Sequence, residues 1–178
     1  MKKIFLLFML LSIQTITAQK YFTRSGNTTF KASVEAFEPI EAVNKSTSAI
    51  LTDSGEVAAL LLVKGFHFKV ALMQEHFNEN YMDSDTYPKA TFKGNLNQFS
   101  FDKMSSKTKF KLTGSLNIKG VSKEITTEAV VIKKGEKIIF TSEFKVTPKD
   151  FKITIPSIVS KKIAKSITIK IHYELIKK

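Results

Sequence analysis

From Ile167 to Leu175 the chain alternates without a break. Ile167, Ile169, Ile171, Tyr173 and Leu175 fall in one phase, and Thr168, Lys170, His172 and Glu174 in the other. A period of two puts each set on its own side of an extended backbone, which is the pattern of a half-buried strand with one wet face. The pattern recurs in Phe66, Phe68, Val70 and Leu72, with His67, Lys69 and Ala71 opposite. It returns in Phe110, Leu112, Gly114, Leu116 and Ile118, then in Ile125, Thr127, Ala129 and Val131. Ile138, Phe140, Ser142, Phe144 and Val146 repeat it once more. Earlier strands are expected over 28–34, about 46–51, and 56–63. Turn residues separate the strands at Asp53-Ser54-Gly55, Lys119-Gly120 and Lys134-Gly135. Alternation in every strand, with no βαβ rhythm, predicts an all-β antiparallel domain of about eight strands.

Two stretches break the alternation, residues 73–82 and residues 157–165 after Pro156. Each is read as a turn or two of helix. Alternation by itself leaves a two-sheet sandwich and a closed barrel both open. Long strands, with one at each end of the domain, favour closure, which removes the exposed edges.

At the N-terminus, Lys2 and Lys3 precede the apolar run Ile4 to Leu11, and a more polar stretch ends at Ala18. That order is expected to be a signal peptide over residues 1–18, leaving a domain over 19–178. The run is shorter than the roughly 20 residues that cross a bilayer. With no cysteine near the cut, a lipobox anchor is not expected either, so the predicted location is periplasmic or secreted. A chain without cysteine makes no disulfide, thiolate zinc site or iron–sulfur cluster, and offers no thiol nucleophile.

The net charge of +12 invites a nucleic-acid partner, but its distribution argues against one. Arg24 is the only arginine, whereas bidentate recognition of phosphates and bases favours arginine. The lysines alternate with apolar residues, as in Lys107 to Leu112, and so read as the wet faces of strands. Attraction to an anionic membrane surface is the secondary reading. His67, His76 and His172 show no metal-ligand spacing. Asp83 and Asp85 lack the longer ligand series of a calcium loop, and no nucleophile elbow or phosphate loop is present. The expectation is a non-enzyme with no catalytic residue, metal ligand or cofactor.

Two segments stand out against this regular background. One runs from His76 and Phe77 through Tyr81, Asp83, Tyr87 and Pro88 to Ala90, Thr91 and Phe92. The other is Gly114, Leu116, Ile118, Lys119, Gly120, Val121, Ser122 and Lys123. Together they resemble the YceI-like family of lipid- and polyisoprenoid-binding domains, over about Gly26 to Leu175. The chain resembles a divergent, lysine-rich branch, with Asp150-Phe151-Lys152 where the family has Asp-Phe-Gly. The resemblance implies a lipocalin-like, eight-stranded barrel around an apolar pocket, with one or two short helical segments. It also implies an exported, non-catalytic carrier of an isoprenoid or other amphiphilic lipid.

By alternation, Phe66, Phe68, Leu72, Phe92 and Phe110 are expected to face inward as ligand contacts. Leu112, Leu116, Ile118, Phe140 and Phe144 complete that set. His76, Phe77, Tyr81, Asp83, Tyr87, Pro88, Gly114 and Gly120 are assigned structural roles in the family motif. The alternative reading is a packed domain whose basic face binds an acidic envelope partner or anionic lipid heads. For self-association, an isologous dimer is the default expectation.

Overall fold

The computed structural model describes residues 19–34, 39–101, 104 and 107–178; the expected signal peptide lies outside them. Among the described residues the strands are β1 Lys20–Ser33, β2 Glu41–Thr52, β3 Glu56–Leu62, β4 His67–Phe68 and β5 Lys89–Leu96. They continue with β6 Thr108–Ile118, β7 Val121–Lys134, β8 Lys137–Val146 and β9 Ile163–Lys177. One short helix, α1 Ala71–His76, runs into a π-type turn, Phe77–Tyr81. Short 3-10 turns cover Val63–Gly65, Pro148–Phe151 and Ser157–Val159.

The strands form a closed antiparallel ring of eight, in the order β1-β2-β3-β5-β6-β7-β8-β9 and back to β1. The structure is therefore a barrel and not a sandwich. Closure depends on β1, which pairs with β2 on one side and β9 on the other. Its register shifts between Thr23 and Gly26, and again between Gly26 and Thr28, the irregularity by which a long strand bends to meet both neighbours. Gly26 sits at that bend because nothing larger fits. A Cβ there would lie 2.5 Å from Tyr173 Cδ1 and 2.9 Å from the Thr47 carbonyl oxygen.

The strands run up and down in turn, so their connections alternate between the two ends. Tight connections sit at both ends. Lys119 (φ 49°) and Gly120 (φ 73°) are both left-handed and make a two-residue β6–β7 hairpin at the upper end. Gly135 (φ 60°) opens the two-residue loop between β7 and β8 at the lower end. The long connections 63–88 and 147–162 lie at the upper end. The lower half is packed solid. Leu51, Val131 and Ile138 are fully buried there, with Tyr21, Leu96 and Leu175 around them. Phe99 and Phe101 close that end beneath Phe110 and Tyr21, with ring centroids 5.2 Å and 5.1 Å apart.

Three segments differ from the sequence reading. The alternation from Phe66 to Leu72 does not make one strand. Only His67 and Phe68 pair, opposite Val43 and Ala42 near the upper end of β2. Beyond them no strand is available as a partner, so the backbone turns on itself. Met73 and Gln74 N–H donate to the Val70 carbonyl, and the Gln74 side chain accepts from Phe68 N–H at 3.1 Å. Helix is thus the only way for this stretch to satisfy its backbone. Second, β1 and β2 begin earlier than expected, at Lys20 and Glu41, because polar residues at the bulge mask the pattern. Third, the helical turn after Pro156 is confined to Ser157–Val159, and Ile163 already belongs to β9.

Lys152 occupies the left-handed region at φ 55°, where it caps the turn Pro148–Phe151. An L-residue with a Cβ is strained there, whereas glycine is not. The variant Lys152→Gly is expected to gain about 0.5–1 kcal/mol and ~2–4 °C in Tm by scanning calorimetry. An unchanged or lower Tm would show that the Lys152 backbone carries no strain.

Candidate functional site

Above the packed half, the barrel interior opens into a cavity of about 520 Å³. That is within the roughly 300–1,000 Å³ typical of small-molecule sites. Its floor is one layer of inward residues: Thr28 from β1, Thr47 from β2, Val57 from β3, Leu112 from β6, Phe140 from β8 and Tyr173 from β9. The inward residues one step lower, such as Ala49, Phe110, Ile138 and Leu175, belong to the packed core and do not reach the space.

The walls are apolar, with Leu116 and Ile118 on β6, Ile125 on β7, Phe144 on β8, and Ile169 and Ile171 on β9. One wall is shaped by a pair of glycines. Gly94 and Gly114 are directly paired across β5 and β6, and the Phe92 ring lies over both. A Cβ on Gly114 would stand 2.4 Å from Gly94 Cα and 2.7 Å from Phe92 Cζ. The two missing side chains leave the volume in which the Phe92 ring lies against the wall.

Four phenylalanines gather near the top. Phe30 meets Phe66, Phe68 and Phe77 at centroid distances of 5.2, 5.6 and 5.3 Å. Phe77 also contacts Phe66 at 5.7 Å and Phe68 at 5.1 Å. These edge, tilted and stacked contacts hold the segment after α1 down on the barrel wall, each worth about 0.5–1.5 kcal/mol beyond its burial. The mouth is completed by Leu72, Met73, His76 and Tyr81 on one side, and by Phe151, Val159 and Lys162 on the other.

The residues named from the sequence fall as follows. Phe66, Phe68, Leu72, Phe92, Leu112, Leu116, Ile118, Phe140 and Phe144 line the cavity. Leu72 reaches it from α1, not from a strand, and is 57% exposed at the mouth. Phe110 does not line it, because it lies below the floor against Phe99.

The two distinctive sequence segments meet at the upper end. Lys119 Nζ donates to the Tyr81 carbonyl oxygen at 2.8 Å, and the Tyr87 ring covers Gly120 so closely that a Cβ there would be 2.7 Å from Cε1. Asp83 turns the chain at φ 47° and its carbonyl accepts from Tyr87 N–H at 2.8 Å. The Pro88 carbonyl accepts from Val63 N–H at 2.9 Å. His76 is exposed on the rim. His76 and Asp83 hold no nucleophile between them, and among the described residues no three His, Asp or Glu side chains converge on a common point.

Sequence reasoning missed the polar part of the floor. Thr28 Oγ1 lies 2.8 Å from Thr47 Oγ1 and 3.1 Å from Tyr173 Oη, all three residues being buried. Burial pushes the Tyr173 phenol above its ordinary pKa, and the Thr28 and Thr47 hydroxyls partly offset that rise. Tyr173 is therefore a neutral O–H donor at physiological pH. The signal was phase: Thr28 alternates with Phe30 and Ala32, and Thr47 with Ala49 and Leu51.

The YceI-like domain family matches residues 13–175 of the chain. Among solved structures, the chain is similar to a polyisoprenoid binding domain from Saccharophagus degradans implicated in plant cell wall breakdown. That match has a TM-score of 0.79 at 11% identity, over 91% of this chain and 100% of the other. BcnA of Burkholderia cenocepacia is similar with a TM-score of 0.70 at 20% identity, over 84% and 95% of the two chains. A YCEI protein of Campylobacter jejuni gives 0.66 at 20% identity, over 80% and 87%. No match is found among curated proteins.

The glycine pair makes the wall testable. Gly114→Ala is expected to destabilise the protein by about 1–3 kcal/mol in urea unfolding, because the β5–β6 ladder or the Phe92 ring must move. A loss below about 0.5 kcal/mol would mean that the pair is not tightly packed.

Proposed function

The chain belongs to the YceI-like family, and from that premise we propose that it is a lipid carrier. One apolar chain, isoprenoid or similar, is held in the barrel above the Thr28–Thr47–Tyr173 floor, without catalysis. The carrying observation is the open space itself. Closed packing is the rule in protein interiors, and an apolar space left unfilled forfeits dispersion contacts on all its walls. A chain that fills it regains them and leaves water, at about 0.8 kcal/mol per CH₂. The polyisoprenoid-binding domain of Saccharophagus degradans has the same fold, which supports the choice of ligand class. The expected ligand contacts are the nine sequence-named residues that line the cavity. The alternative of a packed domain acting only through its basic face is not favoured by this open interior.

On this reading the protein works outside the cytoplasm, released there by cleavage after Ala18. No helix among the described residues is long and apolar enough to cross a membrane. Loading takes place from an anionic bilayer at the open end. Between Pro148 and Lys165, the rim carries Lys149, Lys152, Lys161, Lys162 and Lys165 against Asp150 alone. Ile158 projects from the same rim, 88% exposed. Lysines near such a surface contribute about 1 kcal/mol each, and the apolar tip enters the interface.

Native mass spectrometry after incubation with anionic vesicles tests both parts. The expected result is a one-to-one adduct of an amphiphile, with loading that slows as salt is raised and in Ile158→Asp. Spectra without any adduct, from a folded protein, would contradict the carrier reading. The same spectra report oligomeric state, for which an isologous dimer is the expectation.

A further inference from the structure

The cavity floor carries three hydroxyls in an otherwise apolar layer. Thr28, Thr47 and Tyr173 are 5%, 1% and 4% exposed, and they share a layer with Val57, Leu112 and Phe140. Two hydrogen bonds connect the three hydroxyls, both through Thr28 Oγ1. The Thr47 hydroxyl also acts on the Tyr173 phenol, so the three form one polar cluster. Each of the three hydroxyls can rotate its hydrogen among the available acceptors. An acceptor entering the space above them can take one of those hydrogens.

Burying hydroxyls costs desolvation that valine or phenylalanine of similar volume would avoid. The Tyr173 ring that carries one of these hydroxyls also requires Gly26 at the β1 bend. Charge is absent from this layer. The cation among the described lining residues is Lys162, at the mouth, with His76 on the same rim. A carboxylate or phosphate at the floor would be desolvated without a counter-charge, which costs several kcal/mol.

We propose that the Thr28–Thr47–Tyr173 hydroxyls form a subsite for the acceptor oxygen of an uncharged group, such as a ketone, amide, ester or ether, at the inner end of the bound chain. The subsite rests on the carrier reading and adds polarity and direction to it. A neutral oxygenated chain binds with its oxygen at the floor. An amphiphile with an anionic head binds tail first, leaving the head near Lys162.

The test compares a long-chain methyl ketone with the alkane of equal heavy-atom count, each displacing a fluorescent lipid from the purified protein after endogenous lipid is stripped. The ketone is expected to bind about tenfold more tightly, the ratio one buried hydrogen bond supplies. In Thr28→Val/Thr47→Val/Tyr173→Phe, which keeps the floor's shape, that ratio is expected to fall to one or below while alkane affinity is kept. A ketone isomer with its carbonyl in mid-chain needs no variant, and it is expected to bind more weakly than the methyl ketone and no better than the alkane. Equal affinity of ketone and alkane for the natural protein would overturn the subsite and leave the carrier reading standing. A ratio unchanged in the triple variant would also overturn it. Binding of neither compound would overturn both.

Discussion

Everything in this protein depends on β1 pairing on both sides. Without it, the other seven strands of the ring would form a curved open sheet with two bare edges, and neither cavity nor floor would exist. β1 meets β2 and β9 together by bending at Gly26, and the Tyr173 ring takes the space left by the missing side chain. Closure and the chemistry of the floor thus share one contact. The same Tyr173 stacks on Phe140, with centroids 6.3 Å apart and ring planes 11° from parallel. The bend in β1 therefore sets the position of two floor residues.

The up-and-down course of the chain accounts for the difference between the two ends. The lower end has tight turns after β2 and β7, and after β5 Phe99 and Phe101 pack in as a plug. At the upper end, the connection 63–88 lies over the rim and is fixed by Phe77 and by the Lys119–Tyr81 hydrogen bond. An apolar interior with one sealed end and one loop-bordered end is suited to a chain-shaped ligand. The lysines on the strand faces have another role. Pairs such as Lys109–Glu128 and Lys170–Glu143 are more than half exposed and contribute at most about 1 kcal/mol each. They keep the outer surface wet.

Much of this was legible in the sequence, for reasons that can be named. Period-two alternation in Ile167–Leu175 and Phe110–Ile118 reports one buried face, and those segments are strands in the structure. The resemblance of the two motif segments selected the barrel where alternation alone left a sandwich open. What could not be read was depth. Phe110 and Leu112 share a phase, yet one is below the floor and the other forms part of it, because depth depends on how the ring of strands is staggered. Phe66 to Leu72 failed for a related reason: strand pairing needs a partner, and β2 ends before Val70 can find one. Thr28 and Thr47 were passed over because a hydroxyl in an inward phase looks like an interruption until its neighbours are known.

The central claim is that the interior above Thr28, Thr47 and Tyr173 is a single apolar compartment of fixed depth. Calorimetric titration with a homologous series of straight-chain amphiphiles sharing one head group tests it most directly. Affinity should rise by about 0.8 kcal/mol, roughly fourfold, for each added CH₂ until the chain reaches the floor, and then level off. Affinity that does not change with chain length across the series would contradict a chain-filled barrel.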